Sequence, residues 1–323
     1  MPREDLAVSA VEAIEKAVGP HPGYRRAHPR GLVCAGAFEA TPEARTLTVA
    51  EHFQGVAVPT TVRFSNGTGS PFAPDRESDK VGKVLGLGVR FQLPSGKVAS
   101  WAAVNLPSFV ARTPEDFVRL TLAQRPTFFG KPNPLALVSY LLSRPSVFPG
   151  IKAIATMKPA PSFANVEYGG LHAYFLVDSR GERRPMRYRW VPRANTPTLS
   201  PDEARKLPPQ YLLAEIRERL ARGPAQWDLR FQLAAPGDPL NDPSRAWPKE
   251  RRTVHAGTLT VTHVEGDQKA HEPVVFDPTG VVPGIELSDD PILRIRAAVY
   301  SESYRRRTSE SRAEPAPADM AQS

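Results

Sequence analysis

The segment that selects between folds lies near the C-terminus and reads Asp290-Pro-Ile-Leu-Arg-Ile-Arg296-Ala-Ala-Val-Tyr300-Ser-Glu-Ser-Tyr304-Arg-Arg-Arg307. The sequence predicts a helix here, and four-residue spacing places Arg296 and Tyr300 on one face. An ordinary tyrosine titrates near pH ~10, whereas an arginine keeps its proton. An arginine one turn away could therefore hold a deprotonated tyrosine as a metal ligand. The segment alone also allows a surface helix in which an arginine stacks on a tyrosine.

The composition is that of a soluble globular protein. The 323 residues are 41% hydrophobic and 24% charged, and 35 of them are proline, which indicates many conformationally fixed connections. The single cysteine, Cys34, excludes an internal disulfide and a thiolate metal cluster. It lies in the apolar run 31–38, so we expect a buried, unreactive thiol.

The charge pattern bears on the partners of the chain. The formal net charge is +8, but basic and acidic residues are interspersed, and neither a zinc-binding spacing nor an RNA-binding aromatic signature is present. No run approaches 18 apolar residues, and the N-terminus Met1-Pro-Arg-Glu-Asp-Leu6 carries acids where a signal peptide needs basic residues. The sequence therefore predicts a cytoplasmic protein without nucleic-acid or membrane partners. A cationic pocket for a dianionic cofactor would use the same positive charge.

Apolar periodicity predicts two groups of strands with helices between them. The predicted helices span 9–18, from Thr113, 135–142 and 201–221, with Thr113 as N-cap and Asp116 completing a capping box. The predicted strands span 32–40, 57–65, 86–92, 98–104, 171–177, 186–191, 227–233 and 254–264. The fold class is therefore α+β, an eight-stranded antiparallel β-barrel with inserted and C-terminal α-helices.

Three further segments combine with the first one. They are Arg25-Arg-Ala-His28-Pro-Arg-Gly31, Val62-Arg63-Phe-Ser65 and Val104-Asn105-Leu-Pro-Ser-Phe109-Val-Ala-Arg112. Each is weak alone, because a lone histidine or an asparagine before a turn is usually structural. Together, in this order and spacing, they resemble the monofunctional haem catalases. Val282-Pro-Gly-Ile-Glu286 and Trp247-Pro248 extend the resemblance.

The extent of the resemblance gives a domain organisation. It covers residues 21–307 and is similar in length to the minimal catalase-related peroxidases, which lack the arms and the C-terminal domain of larger catalases. We expect an N-terminal helix over 1–20, one catalase-like haem-binding barrel domain over 21–307, and a disordered tail over 308–323. Without the arms, a monomer or a dimer is expected.

The resemblance also implies roles for individual residues around a b-type haem with ferric iron. His28 and Asn105 would be the distal histidine and asparagine, and Ser65 would hydrogen-bond the histidine. Tyr300 would be the axial tyrosinate ligand of the iron, and Arg296 would neutralise its charge. The other implied members are the propionate-binding arginines Arg25, Arg63 and Arg307, the distal Phe109, and the supporting pair His172 and Asp290. A strand histidine such as His172 could otherwise simply pack in the core.

Two positions depart from the family pattern. Ala27 stands where a valine usually precedes the distal histidine, and Val110 stands where a second phenylalanine often follows Phe109. Both are smaller, so the sequence predicts a wider distal approach that admits organic hydroperoxides.

The implied activity is a haem-dependent peroxidase that reduces hydrogen peroxide and organic hydroperoxides with an organic electron donor, with weak catalase activity. Two alternatives remain open. One is a hydroperoxide isomerase like the allene oxide synthases. The other is a non-enzymatic haem carrier, which would need no distal histidine, serine and asparagine.

Overall fold

The computed structural model describes residues 3–75, 83–125, 134–195 and 197–311 of the chain. Within these residues there are nine strands and eight α-helices. The strands are β1 (Gly31–Ala40), β2 (Val58–Asn66), β3 (Leu85–Gln92), β4 (Val98–Val104), β5 (Tyr168–Val177), β6 (Arg183–Pro192), β7 (Ala225–Leu233), β8 (Thr253–Val264) and β9 (Ile285–Leu287). The helices are α1 (Arg3–Val18), α2 (Pro42–Leu47), α3 (Pro114–Ala123), α4 (Pro134–Ser143), α5 (Phe148–Thr156), α6 (Pro201–Arg205), α7 (Tyr211–Arg222) and α8 (Pro291–Ser309).

Strands β1 to β8 form a closed antiparallel barrel. Each strand pairs with the next along the chain, and β8 returns to pair with β1, where Leu259 lies opposite Phe38. The β4–β5 junction is narrow and consists of the pair Val104 and Gly169. The predicted eight-stranded barrel is confirmed, and its closure leaves the barrel without an open sheet edge.

The inside of the barrel is filled by large aromatic side chains. Trp101, Trp190 and Trp227 are almost completely buried, because inward-facing positions alternate with outward-facing ones along each strand. The Trp101 and Tyr188 ring centroids lie 4.4 Å apart, and the Tyr188 hydroxyl donates to the Ala102 carbonyl. Cys34 is buried in the same core, as expected, and burial raises the pKa of its thiol to about 12.

The structure corrects two predictions about helices. Residues 201–221 form two helices instead of one, because Pro208 and Pro209 cannot continue a helix between α6 and α7. At the start of α3, Thr113 does cap by accepting from the Asp116 amide. The predicted capping box is incomplete, however, since the Asp116 carboxylate accepts from Arg144 Nε at 2.9 and 3.0 Å instead.

The chain ends lie partly outside the described residues. Helix α8 continues through Thr308 to Ser309, so the first two residues of the predicted tail are helical. The rest of that tail, from 312 to 323, is outside the described residues. No helix in the described part of the chain has both the length and the apolar composition required to cross a bilayer.

Candidate active site

A cavity of about 350 Å³ lies between the barrel wall and the helices packed against it. Its lining comes from β2 to β5, from the segment before β1, and from α1, α3 and α8. The lining is mainly apolar with a few polar groups, as in small-molecule sites, which typically measure roughly 300–1,000 Å³. Of the eleven residues predicted for the site, nine line this cavity: Arg25, His28, Arg63, Ser65, Phe109, His172, Arg296, Tyr300 and Arg307.

His28 and Ser65 form one wall of the cavity. The Ser65 hydroxyl lies 3.2 Å from His28 Nδ1, and Ser65 stands near the end of β2 next to the segment that carries the histidine. Burial, together with the charges of Arg63 and Arg296, lowers the pKa of His28 to about 4. At neutral pH the imidazole is therefore uncharged and able to accept a proton.

The backbone at His28 is in an unfavourable conformation. Its φ of 51° lies in the left-handed region, which costs a residue with a Cβ about 1–2 kcal/mol. Arg63 stabilises this turn, because its Nη2 donates to the His28 carbonyl at 3.0 Å. Strain of this kind is found where a side chain must be held in one position for function.

Gly86 is a site residue that the sequence analysis missed. A Cβ at this position would lie 2.8 Å from the Ser65 hydroxyl and 3.0 Å from His28 Nδ1, closer than packing allows. A glycine at this position of β3 therefore makes room for the histidine–serine pair. The available signal was Gly86-Leu-Gly88 within a predicted strand, where glycine usually marks a close approach.

A continuous chain of hydrogen bonds supports Tyr300 on α8. Asp290 Oδ2 lies 2.7 Å from His172 Nδ1, and His172 Nε2 lies 3.1 Å from Arg296 Nη1. Arg296 Nη2 then donates to the Tyr300 hydroxyl oxygen at 2.5 Å. Asp290 is also the N-cap of α8 and accepts from the Ile292 and Leu293 amides.

The protonation of this chain follows from burial. Burial lowers the pKa of His172, an effect that the Asp290 carboxylate only partly offsets, so the ring is neutral. We assign its proton to Nδ1, which donates to Asp290 and leaves Nε2 to accept from Arg296. Burial opposes the charge on Arg296, but the phenolic oxygens of Tyr300 and Tyr174 outweigh it and raise the pKa of Arg296. The guanidinium beside Tyr300 is therefore permanently charged.

Three arginines line the same cavity. Burial and the charges of Arg25 and Arg307 lower the pKa of Arg63 well below the ordinary arginine value. Burial and the charge of Arg25 lower the pKa of Arg307 to about 10. Arg25 is bound by Glu272 at 3.1 Å, whereas the buried Nη2 of Arg307 has no hydrogen-bond partner among the described residues. Such a cluster favours an anionic ligand.

The structure does not bring Asn105 to the cavity. Its Oδ1 accepts from the Leu85 amide at 2.8 Å, and its Nδ2 donates to the Lys83 carbonyl at 3.1 Å. Asn105 is not part of the cavity lining. Any hydrogen bond from this amide to a bound peroxide requires the side chain to turn away from Lys83.

The two small residues of the predicted wider approach differ in position. Ala27 lines the cavity. Val110 does not, and packs instead with Leu120 and Val147 in a separate cluster beside α4. Only Ala27 supports the predicted widening.

Helix α1 closes one side of the cavity, although the sequence analysis assigned it no part in the site. Its Ala10, Val11 and Ile14 belong to the lining. Its Leu6 and Ala7 pack on Ile295 of α8. The signal was the apolar face of the predicted helix, which had to be covered by another element.

A network of ion pairs holds α1 in place. Glu15 of α1 binds Arg26 and Arg306, each at 2.6 Å. Arg26 also binds Glu310, which follows α8, at 2.6 Å. We call these four residues the α1 clamp; it joins the two ends of the described chain beside His28.

The comparisons with known proteins agree with this geometry. A family model described as catalase matches residues 12–315. A catalase-related peroxidase of Mycolicibacterium paratuberculosis is 39% identical over 95% of this chain and 96% of that protein. A catalase-related peroxidase of Synechococcus elongatus is 35% identical over 92% of this chain and 87% of that protein. The crystal structure of a fungal catalase superposes with a TM-score of 0.78 at 22% identity, covering 89% of this chain and 60% of that one.

Proposed function

The chain belongs to the catalase family of haem oxidoreductases, and from this premise we propose that it is a peroxidase that reduces hydrogen peroxide and organic hydroperoxides. The observation that carries the proposal is the placement of two opposed sets of groups around one cavity. One set is a neutral, buried histidine beside a serine. The other is a tyrosine held by a charged arginine. A peroxidase needs both, since it must move a proton and stabilise an anionic iron ligand.

The cavity fits a haem in the chemistry of its donors. Haem carries two carboxylates, and the arginine cluster has a buried nitrogen, Nη2 of Arg307, that awaits an acceptor. The remaining lining is largely apolar, which suits a porphyrin ring. Arg25, Arg63 and Arg307 would bind the propionates, and Tyr300 would ligate ferric iron as a tyrosinate.

The residues on the histidine side move the proton. Bound haem would supply the two-electron chemistry that splits the peroxide O–O bond. His28 is uncharged at neutral pH, so it can take a proton from the peroxide and return it to the departing oxygen as water forms. Ser65 holds Nδ1, which keeps the ring in one orientation during both transfers.

The residues on the tyrosine side hold negative charge. Arg296 donates to the Tyr300 oxygen, and its charge compensates that of a phenolate. His172 and Asp290 keep the guanidinium in this position, as outer residues do for metal ligands in general.

Activity assays on the purified, haem-loaded protein test the function. We expect an absorption spectrum of ferric high-spin haem that resists dithionite, and oxidation of an organic donor with hydrogen peroxide and with cumene hydroperoxide. Oxygen release from hydrogen peroxide should be weak. Vigorous oxygen release without donor oxidation would identify a catalase instead. Donor-independent rearrangement of a fatty-acid hydroperoxide would identify an isomerase, and haem binding without turnover would identify a carrier.

The arginine cluster gives a prediction about haem retention. Replacing Arg307 by alanine should speed haem loss roughly 10- to 100-fold, because a charge-assisted hydrogen bond contributes about 1.5–3 kcal/mol. Transfer of haem to apomyoglobin measures the rate. Arg25→Ala and Arg63→Ala should act in the same direction. The matched control is Arg305→Ala, since Arg305 lies on the same helix but its side chain is 67% exposed and bound to Glu302. Unchanged haem loss in all three cavity variants, with intact circular dichroism, would contradict the placement.

A further inference from the structure

Helix α4 exposes an apolar surface. Leu135, Val138 and Leu142 are 78%, 51% and 81% exposed, and their spacing places them on one face of the helix. Phe148, at the start of α5, is 56% exposed. We call these four residues the α4 surface. Single exposed apolar residues are common, but a row of them is typical of an interaction site.

The other side of α4 is fixed to the protein. Tyr140 is buried, packs with Leu120 and Val147, and donates its hydroxyl hydrogen to the Val110 carbonyl at 3.2 Å. Arg144 follows the helix and binds Asp116 of α3 at 2.9 Å. The α4 surface is thus the outer face of an anchored helix.

The segment around α4 is also strongly basic. No Asp or Glu occurs between Asp116 and Glu167, whereas six Lys or Arg do. The net charge of the whole chain is +8, so this stretch of 50 residues carries most of the excess. The exposed cations here, on α3, α5 and the segments that follow them, are Arg119, Arg125, Lys152 and Lys158.

We propose that the α4 surface docks onto the surface of an anionic lipid bilayer. Exposed leucines and a phenylalanine can enter the boundary between head groups and acyl chains, while lysines and arginines bind the anionic head groups. The proposal departs from the expectation of no membrane partner, which rested on charges interspersed along the whole chain. It concerns peripheral docking and does not depend on the peroxidase assignment.

The observations favour a bilayer over a second copy of the chain. A symmetric pair of α4 surfaces would bring two basic segments together, and like charges across an interface oppose association. A stable protein interface also buries about 800 Å² per partner, which needs far more than four side chains. A bilayer needs no such area.

Co-sedimentation of the full-length holoenzyme with vesicles tests the proposal. We expect binding to vesicles of phosphatidylcholine containing phosphatidylglycerol, and at least tenfold weaker binding to phosphatidylcholine alone. The double variant Val138→Gln/Leu142→Gln should lose at least tenfold in partitioning. Its matched control is Val49→Gln/Val56→Gln, which changes two exposed valines elsewhere that are 44% and 61% exposed.

Charge reversal forms the second arm of the test. Lys152→Glu/Lys158→Glu should weaken binding to anionic vesicles by at least ~25-fold, because each cation near such a surface contributes a factor of about five. The control Lys97→Glu/Lys249→Glu changes two other exposed lysines and should alter binding less. The proposal is wrong if wild type does not bind anionic vesicles, or if the α4 pair and its control behave alike. It is also wrong if light scattering shows a dimer that Val138→Gln/Leu142→Gln dissociates, since a second copy would then cover the surface.

Discussion

Replacing His28 by alanine should leave haem bound and lower peroxide turnover by about 10²–10⁴-fold, the usual contribution of a general acid–base group. The imidazole is the residue in this cavity that is buried, uncharged at neutral pH and held by a second side chain. Steady-state donor oxidation, normalised to bound haem, measures the effect. His263→Ala is the matched control, because that histidine is exposed on β8.

The pH profile gives an independent readout of the same prediction. With a pKa of about 4, His28 is neutral above that pH and becomes protonated below it. Wild-type kcat/KM should therefore fall as the pH drops through about 4, well below the value for an ordinary histidine, and this limb should vanish in His28→Ala. Near-normal turnover in the haem-loaded variant would exclude His28 as the proton-transfer group.

The second large effect concerns the axial bond. Tyr300→Phe should abolish the tyrosinate spectrum and lower activity more than about 100-fold, the upper end of the loss for residues that merely support a ligand. The structure places Tyr300 in the cavity, 2.5 Å from a guanidinium nitrogen that is itself fixed by His172. Absorption spectra before and after dithionite, together with haem content, provide the measurement.

Tyr304 provides the matched control on the same helix. It lies one turn further on, is 37% exposed and does not belong to the cavity lining. Tyr304→Phe should leave the spectrum and the activity nearly unchanged. If instead Tyr304→Phe loses the spectrum and Tyr300→Phe retains it, the axial assignment has the wrong register.

Sequence patterns predicted the parts of the molecule that depend on local chemistry. The barrel strands follow from alternating apolar residues, and the Asp290–Arg296–Tyr300 group follows from helical spacing within one segment. His172 required the family pattern, because it reaches the group from a strand 118 residues before Asp290.

Other features depend on three-dimensional placement and could not be predicted in this way. The orientation of Asn105 is set by carbonyl and amide groups of the segment 83–85, which no spacing rule relates to it. The role of Gly86 appears only when His28 and Ser65 are known to meet above it. The involvement of α1 depends on how the two ends of the chain meet.

The α1 clamp bears on the order in which the molecule can be assembled. Glu15 and Arg26 come from the beginning of the chain, whereas Arg306 and Glu310 come from its far end. During synthesis the barrel strands leave the ribosome before α8, so the wall that contains α1 cannot be fastened until translation is almost complete. The proposed axial tyrosine is on α8 as well. Capture of the cofactor and sealing of its chamber are therefore both late events, which makes the nascent barrel an open receptacle until the last helix arrives.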